Sequence, residues 1–348
     1  MELLGLAEVA DLLQVTKQAI ANWRARREDF PAPIATLKSG PVWSTDSILR
    51  WADQEGMQLA PTPTEEEVDG GNTRRAVIVA MMNMKGGVGK STLAANLGWY
   101  AAVRRDLRVL LVDLDPQFNL SQYVLGVQKF ERLLEAGQPT IDDLFKPISP
   151  GKEPIHIEEL IQKVSDFEDL SCLHLIPARL ELAWSVRHAT DKAHILRDGL
   201  ENIRSEYDLI ILDCSPTESV LTRAAYFAAD YVAIPIKPEF LSTIGLPLLI
   251  NSIAEFRNVY PNENYPEILG VIFNDVYDKI EHRRSKSFVK KTASDLNIPV
   301  FENELGHSDS YPAGARKGQP IFWTNNARDA KKNELARVAS EFLRRIEL

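Results

Sequence analysis

Over residues 1–56, short apolar sets recur at helical spacing and are separated by turn chemistry. Leu6, Val9, Ala10, Leu12 and Leu13 mark a first helix. Val15-Thr16 breaks the run, and Thr16 is a good N-cap for a second helix from Lys17 to about Arg27 that buries Ala19, Ile20 and Trp23. The apolar stretch Ile34–Leu37, the turn Lys38-Ser39-Gly40 and Pro41-Val42-Trp43 read as a β-hairpin. Thr45 is expected to cap a last short helix carrying Ile48, Leu49 and Trp51, closed by Gly56. Residues 57–74 hold Pro61, Pro63, Glu65-Glu66-Glu67 and Gly70-Gly71 with nothing to bury, and so form a linker.

Beyond the linker the pattern becomes strand–helix alternation. Continuous apolar runs at Ala76–Met82, Val109–Val112, Leu173–Ile176, Leu209–Leu212, Tyr231–Ile236 and Leu269–Phe273 read as buried strands. Helical spacing lies between most of them. The expected fold class is therefore α/β: a mostly parallel sheet with helices on both faces over 75–348, plus a small domain over 1–56. The stretch 128–170, polar and broken by Pro139, Pro147, Pro150 and Pro154, is expected to be an insertion of helices and loops. No internal repeat or low-complexity tract is visible.

Composition narrows the function classes. A net charge of -9 means that nucleic-acid binding must rest on local basic patches. Cys172 and Cys214, the two cysteines of the sequence, are too few for a disulfide framework or an iron–sulfur site and fit a reducing cytosol. The longest apolar stretches, such as Leu241–Ile250, are too short to span a bilayer, and the N-terminus lacks a signal-peptide pattern. A cytoplasmic protein with no membrane partner is expected.

The most specific chemistry follows the first strand of the α/β region. In Lys85-Gly86-Gly87-Val88-Gly89-Lys90-Ser91-Thr92, the glycines let successive N–H groups turn inward to phosphate oxygens at the start of a helix, Leu93–Ala102. Lys90 is expected to reach the β- and γ-phosphates of ATP, Ser91 to hold Mg²⁺, and Thr92 to touch the α-phosphate. The usual pattern has a glycine where this chain has Met84, and Lys85 opens the loop as a second lysine. Lys85 cannot easily fold back onto its own phosphates. It either reaches across a two-fold interface to a second subunit's nucleotide or is simply solvated. Two strand ends add carboxylates: Asp113 and Asp115 after Val109–Val112, and Asp213 after Leu209–Leu212. Asp113 and Asp213 are candidates for the metal, and Asp115 for orienting the attacking water.

These motifs, with Asp113-Leu114-Asp115-Pro116-Gln117 and Tyr207–Asp213, resemble the ParA group of deviant-Walker ATPases, which partition plasmids and chromosomes. Weaker similarity runs through Leu175–Leu182, Ala229–Glu239, Leu269–Asn274 and Gly318-Gln319-Pro320, so the resemblance covers residue 76 to the end. It implies slow ATP hydrolysis, an ATP-sandwich homodimer with Lys85 crossing the interface, and non-specific, ATP-dependent DNA binding on the nucleoid. It also implies a centromere-binding, ParB-like partner protein, and it makes Asn274 similar to an adenine-contacting asparagine. Phe118 stands where the family often has glycine, and Cys214-Ser215-Pro216 replaces the commoner Cys-Pro-Pro. A detachable membrane-binding terminal helix, as in some relatives, is not expected. Leu335, Val338, Phe342 and Ile346 share one side and should pack on the sheet.

Residues 1–56 resemble a winged helix-turn-helix of the MerR/excisionase-like kind, with Leu6–Arg26 as the helix pair and Ile34–Trp43 as the wing. Lys17, Gln18, Asn22, Arg24 and Arg26 are the candidate DNA contacts on its second helix. Larger ParA proteins with such a domain repress their own operon, so operator binding is expected here too. A second basic cluster, Arg283, Arg284 and Lys286 with Lys290 and Lys291, is a candidate for phosphate contacts, or a solvated helix face. Two other readings remain open: a nucleotide-switched transcriptional regulator, and an orphan relative that positions a protein cargo or serves a mobile-element or defence system.

Overall fold

The structure is a computed structural model that describes residues 3–13, 15, 19–20, 23–24, 27, 29–37, 40–54, 75–147, 151, 153–167, 171–185, 192–239, 245–325 and 327–348. The chain divides into two compact units, Met1–Thr73 and Arg74–Leu348. The expected linker, 57–74, lies outside the described residues.

In the first unit, β1 (Leu3–Leu4), β2 (Ala35–Leu37) and β3 (Gly40–Ser44) form an antiparallel sheet in the order β1-β3-β2. The hairpin anticipated from the sequence is β2–β3. Strand β1, two residues long, carries no periodicity that a sequence could show. Helices Leu6–Leu12 and Thr45–Gln54 flank the sheet. Val9, Leu13, Ile20, Trp43, Ile48 and Trp51 share one core, and the Trp43 indole N–H donates to the Pro31 carbonyl at 2.7 Å. Thr45 is the first helical residue and not the cap. Ser44 Oγ takes that role, accepting from the Ser47 N–H at 3.2 Å.

Among the described residues of the second unit, seven strands form one sheet in the order β10-β9-β4-β8-β5-β7-β6. These are β4 (Val77–Met81), β5 (Arg108–Leu114), β6 (Gln162–Phe167), β7 (Ser171–Ile176), β8 (Leu209–Cys214), β9 (Tyr231–Ile236) and β10 (Glu267–Phe273). Every neighbouring pair is parallel except β6–β7. Strand β6 corrects the expectation of helices and loops over 128–170. Its sequence is half-polar because it is an edge strand, and its pairing comes from β7.

Successive residues of the central strands feed opposite faces, as the pleat requires. Ile78, Leu110, Ile210 and Ile234 join a core with helices Ile195–Ile203, Val220–Ala228 and Gly245–Val259. Val79, Leu111, Ile211 and Ala233 join the other, covered by Lys90–Arg104, Asn119–Leu125 and Asp329–Arg345. Leu335, Val338, Phe342 and Ile346 are fully buried in this second core. At about 1.5–3 kcal/mol per buried side chain, the terminal helix is held as part of the domain. No helix among the described residues is long and apolar enough to cross a membrane.

Candidate functional site

The parallel strands β4, β5 and β8 lie side by side, in register Met81↔Asp213 and Asp113↔Asp213, so their C-terminal ends converge on one crevice. Residues 82–89 leave β4 there, and the helix Lys90–Arg104 begins at the loop's end. A cavity of about 640 Å³ opens above it, lined among others by Gly86, Lys90, Ser91, Thr92, Asp115 and Arg316. Gly89 has φ +90°, and a β-carbon there would stand 2.0 Å from Asn274 Nδ2, so the loop needs glycine on two counts. The loop is further tied down by Asn83, whose Oδ1 accepts from the Lys85 N–H at 2.9 Å while its amide donates to the Pro235 carbonyl at 2.8 Å.

Lys90 is 6% exposed and donates to the carbonyls of Asn83 and Lys85 at 3.3 and 3.2 Å. Burial lowers its pKa, opposed by the charges of Asp213 and Asp115. The three carboxylates have different environments. Asp113 is taken up by protein donors: the Ser121 hydroxyl at 2.7 Å, the Ser121 N–H at 2.9 Å and the Asp115 N–H at 3.1 Å. Burial nonetheless pushes its pKa up to about 7. Asp115 Oδ1 accepts from the Gln117 N–H at 2.9 Å, and the residue lines the cavity. Asp213 is fully buried, and neither of its oxygens has a hydrogen-bond partner among the described residues. Burial, then the charge of Asp113, raises its pKa well above the usual range. The Ser91 hydroxyl, near enough to favour the ion but outside hydrogen-bond geometry, and Lys90 oppose the shift.

A buried carboxylate without donors, facing a serine hydroxyl and a lysine, suits a hydrated divalent cation. Ser91 and Asp213 are thus residues that could hold Mg²⁺. Asp113 is tied to the hydroxyl and N–H of Ser121, eight residues on, a serine not singled out in the sequence. Asn274 lies against the loop, its amide donating to the Val88 carbonyl at 2.9 Å, so this nitrogen braces the phosphate loop. Lys85 lies 3.7 Å from Glu239. Phe118 adopts a left-handed backbone (φ 46°), uncommon for a residue with a side chain, and its ring stacks on Phe130 at 5.4 Å.

The basic helix Ile280–Asp295 buries His282, Ser285, Val289 and Ala293. Arg284, Lys290 and Lys291 are exposed on it, and Arg283 is 67% exposed and paired with Asp278. Lys286, expected among the outward cations, turns inward to Glu304 because it adjoins the buried stripe. In the N-terminal unit Arg24 is exposed, while Lys17, Gln18, Asn22 and Arg26 lie outside the described residues.

A family model described as AAA domain matches residues 76–265. The chromosome partitioning protein ParA of Caulobacter vibrioides is 34% identical over 70% of this chain and 86% of its own. The chromosome-partitioning ATPase Soj of Treponema pallidum is 28% identical over 77% of this chain and 97% of its own. Among solved structures, apo McdA of Cyanothece superposes with a TM-score of 0.64 at 19% identity, over 78% of this chain and 99% of that one. A plasmid partition protein of Borrelia burgdorferi gives 0.56 at 22% identity, over 78% of this chain and all of its own. The two structural likenesses speak for the fold alone.

Proposed function

The chain belongs to the ParA/Soj family of partition ATPases, and from that premise we propose that it is a DNA partition ATPase driven by MgATP. The observation that carries the proposal is Asp213, a buried carboxylate without donors beside Ser91 and Lys90 at the foot of a glycine-built phosphate loop.

On nucleotide binding, Lys90 leaves the carbonyls of Asn83 and Lys85 for the β- and γ-phosphates, and backbone N–H groups of residues 86–92 line the phosphate chain. Magnesium, when bound with the nucleotide, neutralises phosphate charge; Ser91 and Asp213 hold it. Asp115 orients the water that attacks the γ-phosphorus, and the Gln117 N–H fixes one of its oxygens for that task. Lys85 leaves Glu239 and reaches the partner subunit's phosphates, so that two chains close over two nucleotides. Closure presents Arg284, Lys290 and Lys291 to DNA phosphates without regard to sequence. A centromere-binding, ParB-like partner stimulates hydrolysis and release. The N-terminal unit, with an antiparallel hairpin beside short helices, is read as a winged helix-turn-helix that binds the operator and represses the operon.

Light scattering on the full chain tests the sandwich. Asp115→Ala with MgATP should double in mass, and the same variant with ADP, or carrying Lys85→Ala, should stay monomeric. A monomer's mass with MgATP would remove the dimer, a dimer's mass with ADP would remove its dependence on ATP, and phosphate release undiminished by Lys90→Ala would remove the assigned hydrolytic site.

A further inference from the structure

On the edge hairpin β6–β7, at the end of the sheet's strand order, three donors of different chemistry converge. Cys172 and His174 are two residues apart on β7 and therefore share a face, and Asp166 of β6 is directly opposite Cys172 in the ladder. The β-bulge between Lys163 and Ser165 sets this register. One donor atom from each of the three residues lies within 4.8 Å of the other two. His174 Nε2 meets Asp166 Oδ1 at 2.8 Å, its Nδ1 meets the Tyr207 hydroxyl at 2.8 Å, and Cys172 Sγ lies 3.9 Å from Nδ1.

We propose that Asp166, Cys172 and His174 form a binding site for a zinc-class divalent ion at the sheet edge. The thiol, imidazole and carboxylate set suits a borderline-soft ion over magnesium or calcium, which seek oxygen alone. With the ion bound, the Tyr207 hydroxyl would accept the proton of Nδ1, which leaves the Nε2 lone pair for the ion. The ion enters between Nε2 and Asp166 Oδ1, and any proton on Nε2 leaves to solvent. Cys172 Sγ turns about its χ1 towards it, and its thiol proton goes to solvent. Charges of both signs surround the cluster: Asp166 and Asp208 act on the Cys172 thiol and Glu206 on the Tyr207 hydroxyl, opposed by Arg108, which pairs with Asp208, while Lys163 lies 3.3 Å from Asp166 Oδ2. Burial foremost, with these carboxylates, holds the thiol up at about 11, so it is not a free nucleophile at neutral pH. With three protein ligands and water in the fourth position, the ion would staple β6 to β7 without touching the nucleotide site.

The test uses the full chain, stripped of metal and titrated with cobalt(II) and zinc(II) in the absence of nucleotide. One equivalent of cobalt should produce a thiolate-to-metal absorption band in the near ultraviolet that zinc abolishes, and zinc should raise the melting temperature. Cys172→Ser should remove the band and weaken zinc binding at least about tenfold. Cys214→Ala, which alters the other cysteine, should keep the band. Asp166→Asn, at an exposed position where an ion pair contributes little to stability, should weaken zinc binding about 10–100-fold while the melting temperature without metal changes little. Absence of the band, its loss with Cys214→Ala alone, or zinc affinity indifferent to both Cys172→Ser and Asp166→Asn would overturn the site.

Discussion

Asn274 fills the space that a side chain on Gly89 would need: an ideal β-carbon there stands 2.0 Å from its Nδ2. The same nitrogen donates to the Val88 carbonyl, so the residue that follows strand β10 clamps the phosphate loop. Gly89→Ala must therefore push Asn274 aside and adopt φ +90° with a side chain. Strain of about 1–3 kcal/mol would fall on the loop itself. The variant should fold, as circular dichroism would show, and lose nucleotide affinity about tenfold or more in fluorescent-nucleotide titrations. Unchanged affinity would mean that the loop is not held in this shape.

Asn274→Ala isolates the clamp. It removes one buried hydrogen bond, worth about 0.5–1.5 kcal/mol, without adding bulk. Nucleotide affinity should fall up to about tenfold, equally for ATP and GTP, because the amide braces the loop. A loss confined to adenine nucleotides would show that it reads the base.

Asp213 sets stability against function. Burial and the neighbouring Asp113 raise its pKa well above 3.8, so the folded chain holds this proton to higher pH than the unfolded chain does. Stability then falls as pH rises above 3.8, as it does for Asp113 between 3.8 and about 7. Asp213→Asn should therefore melt higher than the wild type at pH 7 without nucleotide, by about 1–3 kcal/mol, and the gap should close towards pH 4. Magnesium-dependent nucleotide binding should fall at the same time. Equal melting at pH 7 would mean that Lys90 already balances the charge.

The basic helix separates surface cations from structural ones. Arg284→Ala and Lys290→Ala should each lower random-duplex affinity and reduce the salt slope by about one, with melting unchanged. Lys286→Ala breaks the pair with Glu304 and should lower the melting temperature while leaving the salt slope alone. The reverse pattern would place DNA on another face.

The fold and the phosphate loop were legible because their signals are local. Strands such as Leu209–Cys214 are buried on both faces and read as unbroken apolar runs, and glycines beside Lys90 have few other uses. What escaped depends on partners distant in sequence. Gln162–Phe167 is a strand only because β7 pairs with it. The bonds that Ser121 gives Asp113, across eight residues, are likewise invisible in the local pattern. Lys286 belongs by sequence to the basic cluster expected to meet phosphates, and Glu304, eighteen residues on, turns it inward. Phe118 adopts a left-handed backbone, and the Phe130 ring against it is what the sequence could not show.

The central claim is that MgATP creates a DNA-binding form. The most direct measurement is the affinity of the full chain for a random duplex and for the DNA upstream of its own gene, with ATP and with ADP, alongside Lys85→Ala and Lys90→Ala. The account requires tight, salt-sensitive binding to the random duplex with ATP alone, lost in both variants, and preference for the upstream site with ADP. Random-duplex binding indifferent to nucleotide, with the upstream site alone bound, would contradict it and make the protein a nucleotide-sensing repressor.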